Sequence, residues 1–335
     1  MSYPISNFER LKQLWRSIRR LMQNKLIRQL VYIAIVLISV AFIAYAIISN
    51  WTQLKNQEWH IEPLYVVLAV VLYPIGMLPA SAAWHWLLKA FGLDLPFSKN
   101  LRIYALSSLP QHIPGFVWYI TSRSLMYDEI GVSASAVVGV TLAETVLLSL
   151  SGFITAITVF ALGSGVLEKF SVLRYLSVGS VIVLLALLIW APGGTRLLDK
   201  LVKRIRNDAQ AIQIQRSKLT ISLIWMFVAW SGGGVLLWIL CKGLTQVNWQ
   251  LLPMMVGIWG AAGAVSLSIG IGIQGLGLRE VTLGAILSTF ISPLTAIVVV
   301  VAFRLALTIG EFLWVFIISI LLKGKPTDPG LHSLK

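Results

Sequence analysis

Residues 219–240 carry no acidic or basic side chain, and neither do residues 30–49. Each run matches the roughly 20 apolar residues that a helix needs to cross the hydrocarbon core of a bilayer. The rest of the chain repeats the pattern, with 57% hydrophobic and only 12% charged residues. No stretch alternates apolar and polar residues as barrel strands do. With no water in the bilayer core, the backbone must satisfy its own hydrogen bonds, and helices do so within one segment. The expectation is an all-α polytopic integral membrane protein.

The polar stretches are too short for a soluble domain. Cys241 stands alone, so no internal disulfide is possible. His60, His85, His112 and His332 are scattered without metal-ligand spacing, so neither a metal nor another cofactor is expected. The net charge of +14 is read as cytoplasmic flanks facing anionic lipid headgroups rather than nucleic acid.

The chain divides into three sections: a basic amphipathic segment over 1–29, one membrane domain over 30–322 and a basic tail over 323–335. In the first, Phe8, Leu11, Trp15, Ile18 and Met22 recur at steps of three and four, with basic residues largely elsewhere. Full spans are expected near 30–49, 63–88, 133–162, 172–190, 219–240 and 293–322. Two further apolar regions, 98–130 and 251–290, are broken by proline or glycine and are read as re-entrant hairpins. The alternative takes 251–269 as an ordinary span. Lysine and arginine set the orientation. The N-terminal segment, Lys89, Lys99, Arg102 and the basic loop over 193–218 face the cytoplasm, and residues 51–62 face out. Both termini are then cytoplasmic, in the plasma or inner membrane.

Sliding the chain by about 160 residues brings Gly115 onto Gly275 and Glu144 onto Arg304. The units, about 63–162 and 219–322, share an order of span, broken hairpin and long span with one buried charge. Their predicted orientations are opposite, as in pseudo-inverted transporter repeats. A lone charge at the bilayer centre costs about 2.5–3.5 kcal/mol on insertion scales. Glu144 and Arg304 are therefore expected to approach each other or each to line a wet cavity. Glu311, about two turns beyond Arg304, is an alternative partner.

The hairpin tips carry the candidate binding residues. "IGIQGLGLRE", starting at Ile271, reverses the chain and leads into a helix. The amides at such a helix start attract anions, Arg279 adds a fixed positive charge, and Glu280 can hold it. Gly270, Gly272 and Gly275 spell G-x-G-x-x-G, but the strand and βαβ unit of a dinucleotide site are missing. The expected role of these glycines is to line a cavity at the hairpin tip, with close helix packing as the alternative. In the first unit Pro110, Pro114 and Gly115 break the chain and Arg123 comes after them.

"IPGFVWYITSR" resembles the proline-glycine segment followed by arginine in the transmembrane domain of lysylphosphatidylglycerol synthases and their stand-alone relatives. "GLGLRE", with Gly275, Gly277, Arg279 and Glu280, resembles that family's second signature. The Glu144 span and the late span with Arg304 also fit, over roughly 30–322. His112-Ile113 and Gln274 depart from the pattern and leave the substrate open. The resemblance implies a flippase-like fold that moves lipids or lipid-linked glycans between leaflets. It does not carry over aminoacyl transfer, because the soluble domain that performs it has no counterpart here.

The first functional expectation is a flippase or scramblase for an anionic phospholipid or a prenyl-phosphate-linked glycolipid. Arg123, Arg279 and Arg304 would attract the phosphate, with Glu144 and Glu280 setting their geometry or carrying a proton. Gly115, Gly275 and Gly277 would shape the hairpin tips. No nucleotide-hydrolysis motif is present, so movement would be passive or ion-coupled. The alternatives are an integral membrane transferase on a lipid-linked donor, using Glu58, Glu62, Asp128 or Glu129, and a non-transporting scaffold for a cell-envelope enzyme. A second copy of the chain or a glycosyltransferase is a candidate partner.

Overall fold

The computed structural model describes residues 61–112, 116–163, 214–245, 247–269 and 278–322. The amphipathic segment, the expected spans at 30–49 and 172–190, most of the basic loop and the C-terminal tail lie outside the described residues.

Among the described residues all regular structure is helical. The first span comprises α1 (Pro63–Val71) and α2 (Tyr73–Ala90), separated at Leu72, where Pro74 in the first turn of α2 supplies no amide hydrogen. Then come α3 (Phe97–Ser108), a 3-10 turn (Leu109–His112), α4 (Phe116–Asp128) and α5 (Ala134–Gly163). The second half holds α6 (Arg216–Leu244), α7 (Leu252–Ile269), α8 (Leu278–Leu287) and α9 (Pro293–Leu321). Ser292 caps α9 by accepting from the Thr295 amide at 3.1 Å, and Pro293 sits at its start, where no amide hydrogen is required.

Five stretches among the described residues are long and apolar enough to cross a membrane: Pro63–Ala90, Ala134–Leu162, Arg216–Leu244, Trp249–Ser268 and Pro293–Leu321. Four coincide with expected spans. The other covers the first arm of the region read as a re-entrant hairpin, where the 3-10 turn Trp249–Leu251 leads into α7; its length and composition suit the alternative that takes 251–269 as an ordinary span. Glycines within this helix serve packing. An added Cβ on Gly260 would lie 2.9 Å from the Gly152 carbonyl oxygen, and one on Gly152 would lie 2.9 Å from the Gly260 carbonyl oxygen. Thus α5 and α7 cross in backbone contact. The place where a side chain on Gly263 would go is filled by the Trp230 ring, whose Nε1 donates to Ser151 Oγ at 3.1 Å. Small residues at such seams let membrane helices approach closely.

The outer surface is apolar. Leu305, Ile309, Phe312, Phe316 and Ile320 form an exposed stripe along α9, while Phe303, Ala306, Gly310, Glu311 and Trp314 are buried on the other side. A helix that exposes its apolar stripe and buries a carboxylate is suited to lipid, not water. Several hydroxyls within the spans return to their own helix, as Thr141, Thr145 and Thr155 do to the carbonyls four residues back, while Ser222 on α6 donates to the Ala83 carbonyl on α2.

Backbone bonds define the two ends of the bundle. Gln215 N donates to Ala90 O at 3.0 Å, and Glu62 N donates to Gly243 O at 2.8 Å. Hence α6 runs antiparallel to α1 and α2. Lys89 and Arg216 share one end, and Glu62 and Lys242 share the other. The helices enclose two apolar cores. One joins α2, α3, α4, α5 and the start of α6 around Trp84, Leu87, Tyr127 and Leu147. The other joins the rest of α6 to α7, α8 and α9 around Leu237, Ile258, Leu283 and Phe303.

Candidate functional site

Each core contains one charged cluster, and the two differ in access. In the first half, Arg123 projects from α4 and is fully buried. Its Nη1 donates to Glu144 Oε2 on α5 at 2.6 Å, and its Nε donates to Ser107 Oγ on α3 at 3.2 Å. Three aromatic rings surround the guanidinium, with centroids 4.3 Å away for Trp84, 4.3 Å for Tyr119 and 4.6 Å for Tyr104. A desolvated cation over such a face gains about 2 kcal/mol. Tyr119 donates to the same Glu144 oxygen at 3.4 Å.

A polar relay extends behind the cage. Trp84 Nε1 donates to the Tyr127 hydroxyl at 2.8 Å, and that hydroxyl donates to Asn100 Oδ1 at 2.9 Å. The Asn100 amide nitrogen lies 2.7 Å from His85 Nδ1. The relay ties α2, α3 and α4 together within the apolar core. Tyr127→Phe is expected to lower stability by about 1–3 kcal/mol, because the buried Trp84 and Asn100 groups lose their partner. Thermal unfolding in detergent measures this.

In the second half, Arg279 and Glu280 lie in the first turn of α8 and Arg304 lies on α9. Glu280 Oε1 is 3.1 Å from Arg304 Nη1 and 3.5 Å from Arg279 Nη2. The arginine side chains are 38% and 35% exposed for Arg279 and Arg304, against 0% for Arg123. The Arg279 guanidinium lies 5.2 Å from the Trp259 ring centroid. Trp259 in turn meets Phe303 edge-on, with centroids 5.3 Å apart. Two cations around one carboxylate leave a net positive charge open to an anion.

The expected approach of Glu144 and Arg304 is therefore corrected. Glu144 takes Arg123 and Arg304 takes Glu280, each from the short helix that precedes it in the chain. The packing of α4 on α5 and of α8 on α9 brings these partners together. Glu311 is buried beside Gly310, which packs on Tyr73. Gly115, Gly275 and Gly277 lie outside the described residues. Among the described residues no three His, Cys, Asp or Glu side chains come together to hold a metal.

A family model described as the lysylphosphatidylglycerol synthase transmembrane region matches residues 30–314. The chain belongs to this family. The match includes Arg123, Glu144, Arg279, Glu280 and Arg304, so both clusters lie within the family's membrane domain. No curated protein and no solved structure gives a significant match to the chain.

Sequence reasoning missed the aromatic cage and the Trp84–Tyr127–Asn100 relay. One signal was available. Tyr119 stands four residues before Arg123, which puts both on one helix face. Trp84, Tyr104 and Trp259 carried no such local sign, because their partners are on other helices.

Proposed function

We propose that this protein moves the phosphate-bearing head of a lipid, an anionic phospholipid or a prenyl-phosphate-linked glycolipid, between the leaflets of the plasma or inner membrane. The observation that carries the reading is the partly exposed pair Arg279 and Arg304, gathered on one carboxylate where the start of α8 meets the middle of α9. Guanidinium groups match phosphate oxygens in geometry and charge. The apolar outer faces let the lipid tails remain in the bilayer while the head tracks the polar groups. Arg123 is a structural residue in this reading, since its cage leaves no approach for a headgroup.

The short helices support a re-entrant arrangement. α3, α4 and α8 have 12, 13 and 10 residues, so they extend about 15–20 Å, well short of the roughly 30 Å bilayer core. A pseudo-inverted repeat is supported by the equivalent positions Glu144 and Arg304, each paired with the preceding short helix. The end bearing Lys89, Lys99, Arg102, Arg216 and Lys218 faces the cytoplasm and its anionic headgroups.

The test is reconstitution of the full chain in vesicles containing head-labelled phosphatidylglycerol or, separately, a labelled prenyl-phosphate sugar. Label accessibility from outside is recorded with time. The wild type should speed exposure of at least one lipid. Arg279→Gln and Arg304→Gln should each slow it about 10–100-fold, as expected for losing a charged hydrogen bond of about 1.5–3 kcal/mol. A folded wild type that exposes neither lipid would sink this reading and favour a transferase or a scaffold.

A further inference from the structure

Arg279 and Arg304, to which the proposed function assigns phosphate binding, already hold an anion in the structure: the Glu280 carboxylate. One oxygen, Oε1, is 3.1 Å from Arg304 Nη1 and 3.5 Å from Arg279 Nη2. Glu280 is the more covered partner, 14% exposed against 35% for Arg304 and 38% for Arg279. The carboxylate is largely covered, while both guanidinium side chains keep more than a third of their surface exposed. Carboxylate and phosphate oxygens compete for the same N–H donors. The first cluster differs: Glu144 and Arg123 are closed off by three aromatic rings, so of the two clusters exchange is open only to the second.

We propose that Glu280 is an internal stand-in for the substrate phosphate, a role that rests on the phosphate-binding assignment of the two arginines. It occupies them between substrates and is displaced when an anionic headgroup arrives. The residue thereby sets the affinity of the site and lets the headgroup leave again. A translocator needs binding weak enough for release, and a competing carboxylate a short rotation away supplies that. A fixed buttress, which merely orients the arginines, predicts the opposite sign when Glu280 is neutralised.

Binding of dihexanoylphosphatidylglycerol to the full chain in neutral phosphatidylcholine nanodiscs separates the two. Glu280→Gln should bind it about tenfold more tightly than the wild type, the size expected when one competing charged hydrogen bond is lost. Arg304→Gln should weaken binding about 10–100-fold, both in the wild-type background and relative to Glu280→Gln when combined with it. Glu280→Asp, which keeps the charge but shortens the reach, should fall between wild type and Glu280→Gln; it serves as the test if the glutamine variant does not fold. Unchanged or weaker binding by the folded glutamate variants, with wild-type binding still dependent on Arg304, overturns the stand-in role alone. Binding that ignores Arg304 in every variant overturns the arginine site, and the stand-in role with it.

Discussion

Replacing Glu144 with leucine is expected to lower the unfolding free energy by about 3–5 kcal/mol, the usual penalty for stranding one member of a buried ion pair. Arg123 would remain fully buried, inside its cage and without its carboxylate. One of its nitrogens, Nη2, already lacks a hydrogen-bond partner among the described residues, and the loss would take the carboxylate from Nη1 as well. Arg304→Gln offers the contrast. Its side chain is about one-third exposed, and such a pair contributes no more than about 1 kcal/mol. Thermal unfolding in detergent, read by size exclusion, compares the variants directly. The double variant Arg123→Leu/Glu144→Leu should be milder than Glu144→Leu, because no unpaired charge is left. A single variant as stable as the wild type would show that the pair does not hold α4 to α5.

The run Gly232-Gly233-Gly234 on α6 should split by position. An added Cβ on Gly234 would overlap the Val256 backbone on α7. Gly234→Ala must therefore push the helices apart, at a cost of about 1–3 kcal/mol. The nearest atom to a Cβ on Gly232 is the Gly76 Cα at 4.0 Å, an ordinary contact. Gly232→Ala should stabilise the protein by about 0.5–1 kcal/mol through helix propensity alone. The two variants differ by two positions in one helix, so a shared outcome would refute the packing described for α6 and α7.

The legible part of the site was the identity of its charges. Arg123, Glu144, Arg279, Glu280 and Arg304 are recognisable because charge in an apolar segment demands a reason. Their pairing was not legible. Glu144 and Arg304 have opposite signs and equivalent places in the proposed repeat, which makes their union attractive on paper. Partner choice depends on which helix packs where and on how each is turned about its axis. The sequence offset contains neither. The same limit applies to Trp84, Tyr104 and Tyr119, which become a cage only when three helices converge. It applies as well to Gly257, Gly260 and Gly263: glycine in an apolar run reads equally as a break or as a seam.

Apolar content and the length of uncharged runs were enough to place the chain in the membrane, since transfer free energy accumulates residue by residue and needs no knowledge of neighbours. The basic residues likewise predicted which elements share an end of the bundle, as the Ala90–Gln215 and Glu62–Gly243 bonds bear out. The tertiary structure alone decided that Arg123 is sealed while Arg279 and Arg304 stay open. Access to a charge is a property of everything packed around it, and only the assembled helices define that.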